Sequence, residues 1–157
     1  MQESNDTVRG VEFLQEIEST IGRMYRVFAE KFPAQRDLWL QIAEEEDLHA
    51  QWAQTLADDA SRGAIKLKRS RLDVGSIQLF RVHARNLLYR AENEELSVSQ
   101  AMDMALDLET SLLERRFYDI FDGDSEALRK VFSDMRAQTQ DHLGKLRALT
   151  EASRGQG

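Results

Sequence analysis

The chain contains no cysteine. That excludes disulfides, thiolate metal sites and cysteine nucleophiles, and nothing in the composition points to an oxidising compartment. One proline and eight glycines among 157 residues are too few punctuators for a turn-rich all-β fold. No apolar run approaches the ~20 residues that a membrane-spanning helix needs. Basic residues are outnumbered 21 to 28, and the net charge of −7 argues against nucleic acid or an anionic membrane as partner. The opening Met1-Gln2-Glu3-Ser4-Asn5-Asp6 is polar and acidic, unlike a signal peptide, so the expected compartment is the cytoplasm.

Hydrophobic residues at 41% and charged residues at 31% suit a soluble protein built from amphipathic helices. The length fits a single domain over residues 1–157, with frayed tails expected at about 1–6 and 152–157. The first helix should begin near Asp6 or Thr7. Its apolar stripe is Val11, Leu14, Glu18, Ile21, Tyr25 and Phe28, at alternating steps of three and four. Glu18 is the one acid on that stripe. Pro33 ends this helix and suits the first turn of the next, for which Gly63 is the expected stop.

The second helix carries Ala43-Glu44-Glu45-Glu46-Asp47-Leu48-His49. Residues i and i+3 lie one above the other, so Glu46 and His49 share a face with Trp39, Ile42, Ala53 and Leu56. A carboxylate aimed into a core needs a cation or a dense hydrogen-bond network. Lys66-Leu67-Lys68-Arg69-Ser70-Arg71 reads as a solvated basic connector. A shorter helix should follow Gly75-Ser76, with His83 a packing or hydrogen-bonding residue outside any site.

Ser97 is a good cap for the third main helix, expected to run to about Phe121 with Met102, Ala105, Glu109, Leu112 and Arg116 inward. Asp122-Gly123-Asp124-Ser125 resembles a calcium loop superficially, but the periodic ligands and closing Glu are missing, so it reads as a turn and helix cap. The last helix turns Met135, Thr139, His142, Leu146 and Leu149 to one side. Two helical pairs therefore correspond: Glu18 with Glu46-x-x-His49, and Glu109 with Thr139-x-x-His142. Glu18 and His49 are 31 positions apart, Glu109 and His142 33. This near-equality predicts an all-α, pseudo-twofold four-helix bundle. A long crossover, containing the short extra helix, separates helices two and three.

A Glu from two helices and Glu-x-x-His from two others is the pattern of ferritin-like di-iron carboxylate bundles. The chain resembles the rubrerythrin-like branch of that superfamily over residues 8 to 150. The segment 38–50, Leu-Trp-Leu-Gln-Ile-Ala-Glu-Glu-Glu-Asp-Leu-His-Ala, is similar to the family's second helix. Glu18 followed by Tyr25 is similar to its first, and Ala105-Leu106-Asp107-Leu108-Glu109 with Phe117-Tyr118 to its third. The resemblance implies a ferritin-like bundle with metal ligands Glu18, Glu46, His49, Glu109 and His142, Glu46 bridging. It further implies a catalytic Tyr25 near the metals and a homodimer, for which Phe80, Leu87, Leu88 and Tyr89 are candidate surface.

The chain departs from the family at three points. Thr139 stands where a fourth Glu is expected, Arg116 stands where symmetry with Tyr25 would put an aromatic residue, and the rubredoxin-type iron domain is absent. Carboxylate and imidazole donors suit Fe(II), Mn(II) or Zn(II) better than Cu(I), which prefers sulfur. The resemblance implies two iron ions that reduce peroxide or oxidise Fe(II), with electrons from a separate donor. The competing expectations are a non-catalytic metal-binding or iron-handling bundle whose site is degenerate, mononuclear or empty, and a metal-free scaffold holding a buried polar network.

Overall fold

The apolar stripe of the first helix is a continuous wall. In the computed structural model, which describes residues 2–64, 67–69, 74–114, 121–123 and 126–155, Val11, Leu14, Ile17, Ile21, Met24, Tyr25 and Phe28 are all fully buried. They lie on α1 (Gln2–Lys31), which starts well before Asp6, so residues 2–6 are helical and not a frayed tail. The helix ends one residue before Phe32-Pro33, as expected of a proline that disfavours helix in the residue ahead of it. A single 3₁₀ turn, Pro33–Gln35, then reverses the chain into α2 (Arg36–Ser61). Gly63 at φ +73° terminates α2, a conformation open to glycine at little cost.

α2 runs antiparallel to α1, and the pair is in close contact at Gly22. A Cβ there would lie 2.9 Å from Asp47 Oδ1 and 3.4 Å from the Ala43 carbonyl oxygen. Asp47 cannot simply swing away, because both its oxygens accept from Arg26, one of them at 3.1 Å. Gly22→Val is therefore expected to push the helices apart and cost about 1–3 kcal/mol, the usual range for overpacking. Urea denaturation measures that cost. Wild-type stability in this variant would show that the approach is slack.

The crossover contains much more than a short helix. α3 (Val74–Asn93) runs 20 residues, close to 30 Å, and packs along α1 in the same direction. Ile77, Phe80, Ala84, Leu87 and Ala91 turn inward at steps of three and four. Arg81 and Arg85 both donate to Glu16, and Lys31 Nζ donates to the Ala91 and Glu94 carbonyls at the far end of α3. Burying an Ile, Phe or Leu side chain contributes about 1.5–3 kcal/mol, so the apolar face holds α3 and the polar contacts set its register. Phe80 and Leu87 are consequently core residues, which corrects the expectation that they form a dimer surface. The exposed apolar residues of α3 are Leu79 at 71%, Val82 at 44% and Tyr89 at 68%.

α4 (Val98–Glu114) opens with a reciprocal cap: Gln100 N donates to Ser97 Oγ and Ser97 N to Gln100 Oε1. α5 (Glu126–Gly155) returns antiparallel along α4 and remains helical through residues 152–155, so these are not a frayed tail. Where the sequence suggested helix as far as Phe121 and then a turn, Phe121–Gly123 is a strand, β2. It pairs antiparallel with β1 (Leu67–Arg69), Lys68 opposite Asp122. Asp122 and Gly123 are poor helix formers, and the backbone of Leu67–Arg69 offers them a ladder instead. Apart from this ribbon the described chain is helical. Arg116, Phe117, Tyr118, Asp124 and Ser125 lie outside the described residues. Among the described residues no helix is long and apolar enough to cross a membrane.

Candidate metal centre

Each of the four helices around the core carries its polar residues at mid-length, facing the bundle axis. Glu18 comes from α1, Glu46 and His49 from α2, Glu109 from α4, and Thr139 and His142 from α5; all six are fully buried. The structure brings together all five of the predicted ligands. They form two triads, Glu18–Glu46–His49 and Glu46–Glu109–His142, in each of which one donor atom per residue lies within 4.8 Å of the others. Glu46 belongs to both.

Both imidazoles present Nδ1 to the carboxylates. His49 Nδ1 is 3.4 Å from Glu46 Oε2 and 3.6 Å from Glu18 Oε2. His142 Nδ1 is 3.0 Å from Glu46 Oε1 and 3.5 Å from Glu109 Oε1. The two rings are stacked with centroids 6.0 Å apart. Tyr25 donates its hydroxyl to Glu109 Oε1 at 2.6 Å and leans against Trp39. Thr139, three residues before His142, donates its hydroxyl to the Met135 carbonyl at 2.9 Å.

The electrostatics are those of a site crowded with negative charge. Burial first, and then the charges of Glu18 and Glu109, hold the Glu46 carboxyl well above the usual range. Burial alone would lower the two imidazoles. The polar contacts and charges of Glu18 and Glu46 outweigh it for His49, and those of Glu109 and Glu46 for His142, and each rises from 6.5 to about 11. Burial, Glu109 and Glu46 likewise keep the Tyr25 phenol neutral, a hydrogen-bond donor. Three further atoms bear on fit: Glu46 Oε2, His49 Nδ1 and Glu109 Oε2 are buried without a hydrogen-bond partner. Orphaned buried acceptors and a ring nitrogen, converging from α2 and α4, are the donor set of a divalent cation of nitrogen and oxygen preference. The cluster is able to hold a metal ion.

Two residues escaped the sequence reading. Gln138 Oε1 lies 2.6 Å from His49 Nε2, and a Glu45 carboxylate oxygen contacts His142 Nε2. Each neighbours a core-facing residue in sequence and so points about 100° off the apolar stripe, where periodicity gives no signal. His83, as expected, stays outside the site, in an exposed contact with Asp107 at 2.7 Å. Compared with protein-family models, curated proteins and solved structures, the chain matches none.

Proposed function

We propose that this chain is a ferritin-like, rubrerythrin-like protein whose core holds two divalent metal ions, iron foremost, and that it acts with iron as an oxidoreductase on peroxide or on Fe(II) itself. The observation that carries the proposal is the pair of buried Glu/His triads sharing Glu46. The course of the helices supports it too: α1 up, α2 down, a crossover, then α4 down beside α5 up, with the correspondence of the two pairs visible in the sequence.

Glu18 and His49 would hold one ion, Glu109 and His142 the other, and Glu46 both. Two Fe(II) ions would supply two electrons, which with two protons reduce hydrogen peroxide to two waters. The chain's own residues orient and protect. Tyr25 fixes Glu109 through its hydroxyl and stands as a neutral donor beside the site. Trp39, Phe28 and the body of Tyr25 exclude bulk water on the α1–α2 side. These 157 residues hold no cysteine for a rubredoxin-type centre, so electrons for repeated turnover would come from outside them.

Thr139 favours a second reading, a metal-handling bundle in which one half of the site is weakened, because three carboxylates oppose the four positive charges of two divalent ions. Elemental analysis after anaerobic loading with Fe(II) tests both. About two irons per chain supports the dinuclear reading, and peroxide consumption by the loaded protein is then the assay. One iron selects the second reading. None, with manganese and zinc also refused, overturns metal binding.

A further inference from the structure

Resting on the dinuclear reading above, we infer that Glu45 is a positioning residue for His142 and restores, from outside the ligand shell, the negative charge that Thr139 omits. The two imidazoles look alike on their inner side, where each turns Nδ1 to Glu46. They differ on the outer side. His49 Nε2 meets the amide oxygen of Gln138 at 2.6 Å, a neutral partner on α5. His142 Nε2 meets the carboxylate of Glu45, an ionisable partner on α2.

Both partners are acceptors, so each places the ring proton on Nε2 and leaves Nδ1 as the donor atom towards a cation. A carboxylate does this more strongly than an amide and adds a full negative charge next to the ring. The half of the site that lacks a carboxylate at position 139 is thus the half whose imidazole is backed by one. With Glu45 counted, four carboxylates answer the four charges of two divalent ions. Glu45 can occupy this position because its side chain is 28% exposed, whereas those of His142 and Glu46 are fully buried. It spans the boundary between water and core, carrying charge to the site without adding a buried acid to it. The two metal positions are inequivalent as a result: one is built on ligand charge, the other on charge relayed through His142.

Anaerobic titration of the full chain with Co(II), followed by its visible d–d bands and by equilibrium dialysis, tests this. Wild type is expected to take two Co(II) per chain. Glu45→Gln should weaken the second ion roughly 10–100-fold, the usual cost of losing such a partner, and leave the first unchanged. Glu45→Asp should recover part of the loss, and adding Thr139→Glu to E45Q should recover most of it. Far-UV helicity is followed in each variant. Unchanged binding of both ions by E45Q overturns the inference, as does equal weakening of both, or helicity lost in E45Q and not regained with T139E. Wild type binding a single ion also overturns it, while leaving metal binding intact in mononuclear form. If wild type and T139E alike take no Co(II), the underlying metal reading fails and the inference fails with it.

Discussion

Glu46→Ala is expected to abolish binding of both metal ions, whereas Glu18→Ala should abolish one. The asymmetry follows from the shared position of Glu46: its Oε2 faces His49 and its Oε1 faces His142, so one carboxylate completes both triads. Without it, one position keeps Glu18 and His49 and the other keeps Glu109 and His142. Each then has a single charged ligand and one imidazole for a divalent ion. Removing Glu18 leaves the second triad whole. Metal per chain after loading and desalting should therefore fall from two to near zero for Glu46→Ala and from two to one for Glu18→Ala. Helicity should be preserved in both; in Glu46→Ala the change removes a buried acid whose ionisation the core resists. A Glu46→Ala chain that retained one ion would mean that the carboxylate is not shared.

The second large effect concerns pH. His49 and His142 have folded-state values raised from 6.5 to about 11, so the folded form binds more protons than the unfolded form between those limits. Stability from these groups is fully present below about pH 6.5 and is lost as pH rises through about 11. Glu46, also raised, has the same sign, because its deprotonation at higher pH costs the folded state more than the unfolded. The metal-free protein is thus expected to lose on the order of 10 °C in Tm between pH 6.5 and pH 10, a few kcal/mol spread over a chain of this length. Bound metal takes the place of those protons, so the loaded protein should hold its Tm across the range and release protons on loading. Differential scanning calorimetry of both forms decides it. A metal-free Tm that is flat or rises with pH would show that the imidazoles are not held protonated by the acids.

Much of this site was legible because helical periodicity is unforgiving about charge. An acid on a stripe of Leu, Ile and Phe has to be buried, and Glu18, Glu46 and Glu109 are. The helix ends at Pro33, Gly63 and Ser97 were legible for an equally local reason: each has a backbone or capping preference that acts within a turn. The features that escaped depend on partners distant in the chain. Nothing near Phe80 or Leu87 in sequence says that α1 will cover them, because the face that buries them is more than fifty residues away. The β1–β2 ribbon requires two connectors over fifty residues apart to meet. Glu45 and Gln138 were invisible because their role is defined by a ring nitrogen on another helix, and their own stripe positions mark them as ordinary surface residues.

The packing of the helices gives the site a mechanical meaning. α1 is the common wall of α2 and α3, whereas α4 packs chiefly on α5, and the close backbone approaches between the two groups are few. The ribbon ties them at one end. At mid-height the polar contacts that join them are Tyr25 to Glu109, Glu46 and Glu45 to His142, and Gln138 to His49. One apolar core runs through both groups, and the polar centre adds a second fastening between them. A cation held between them would act as a clasp, and amide exchange in α4 and α5 would report whether it is closed.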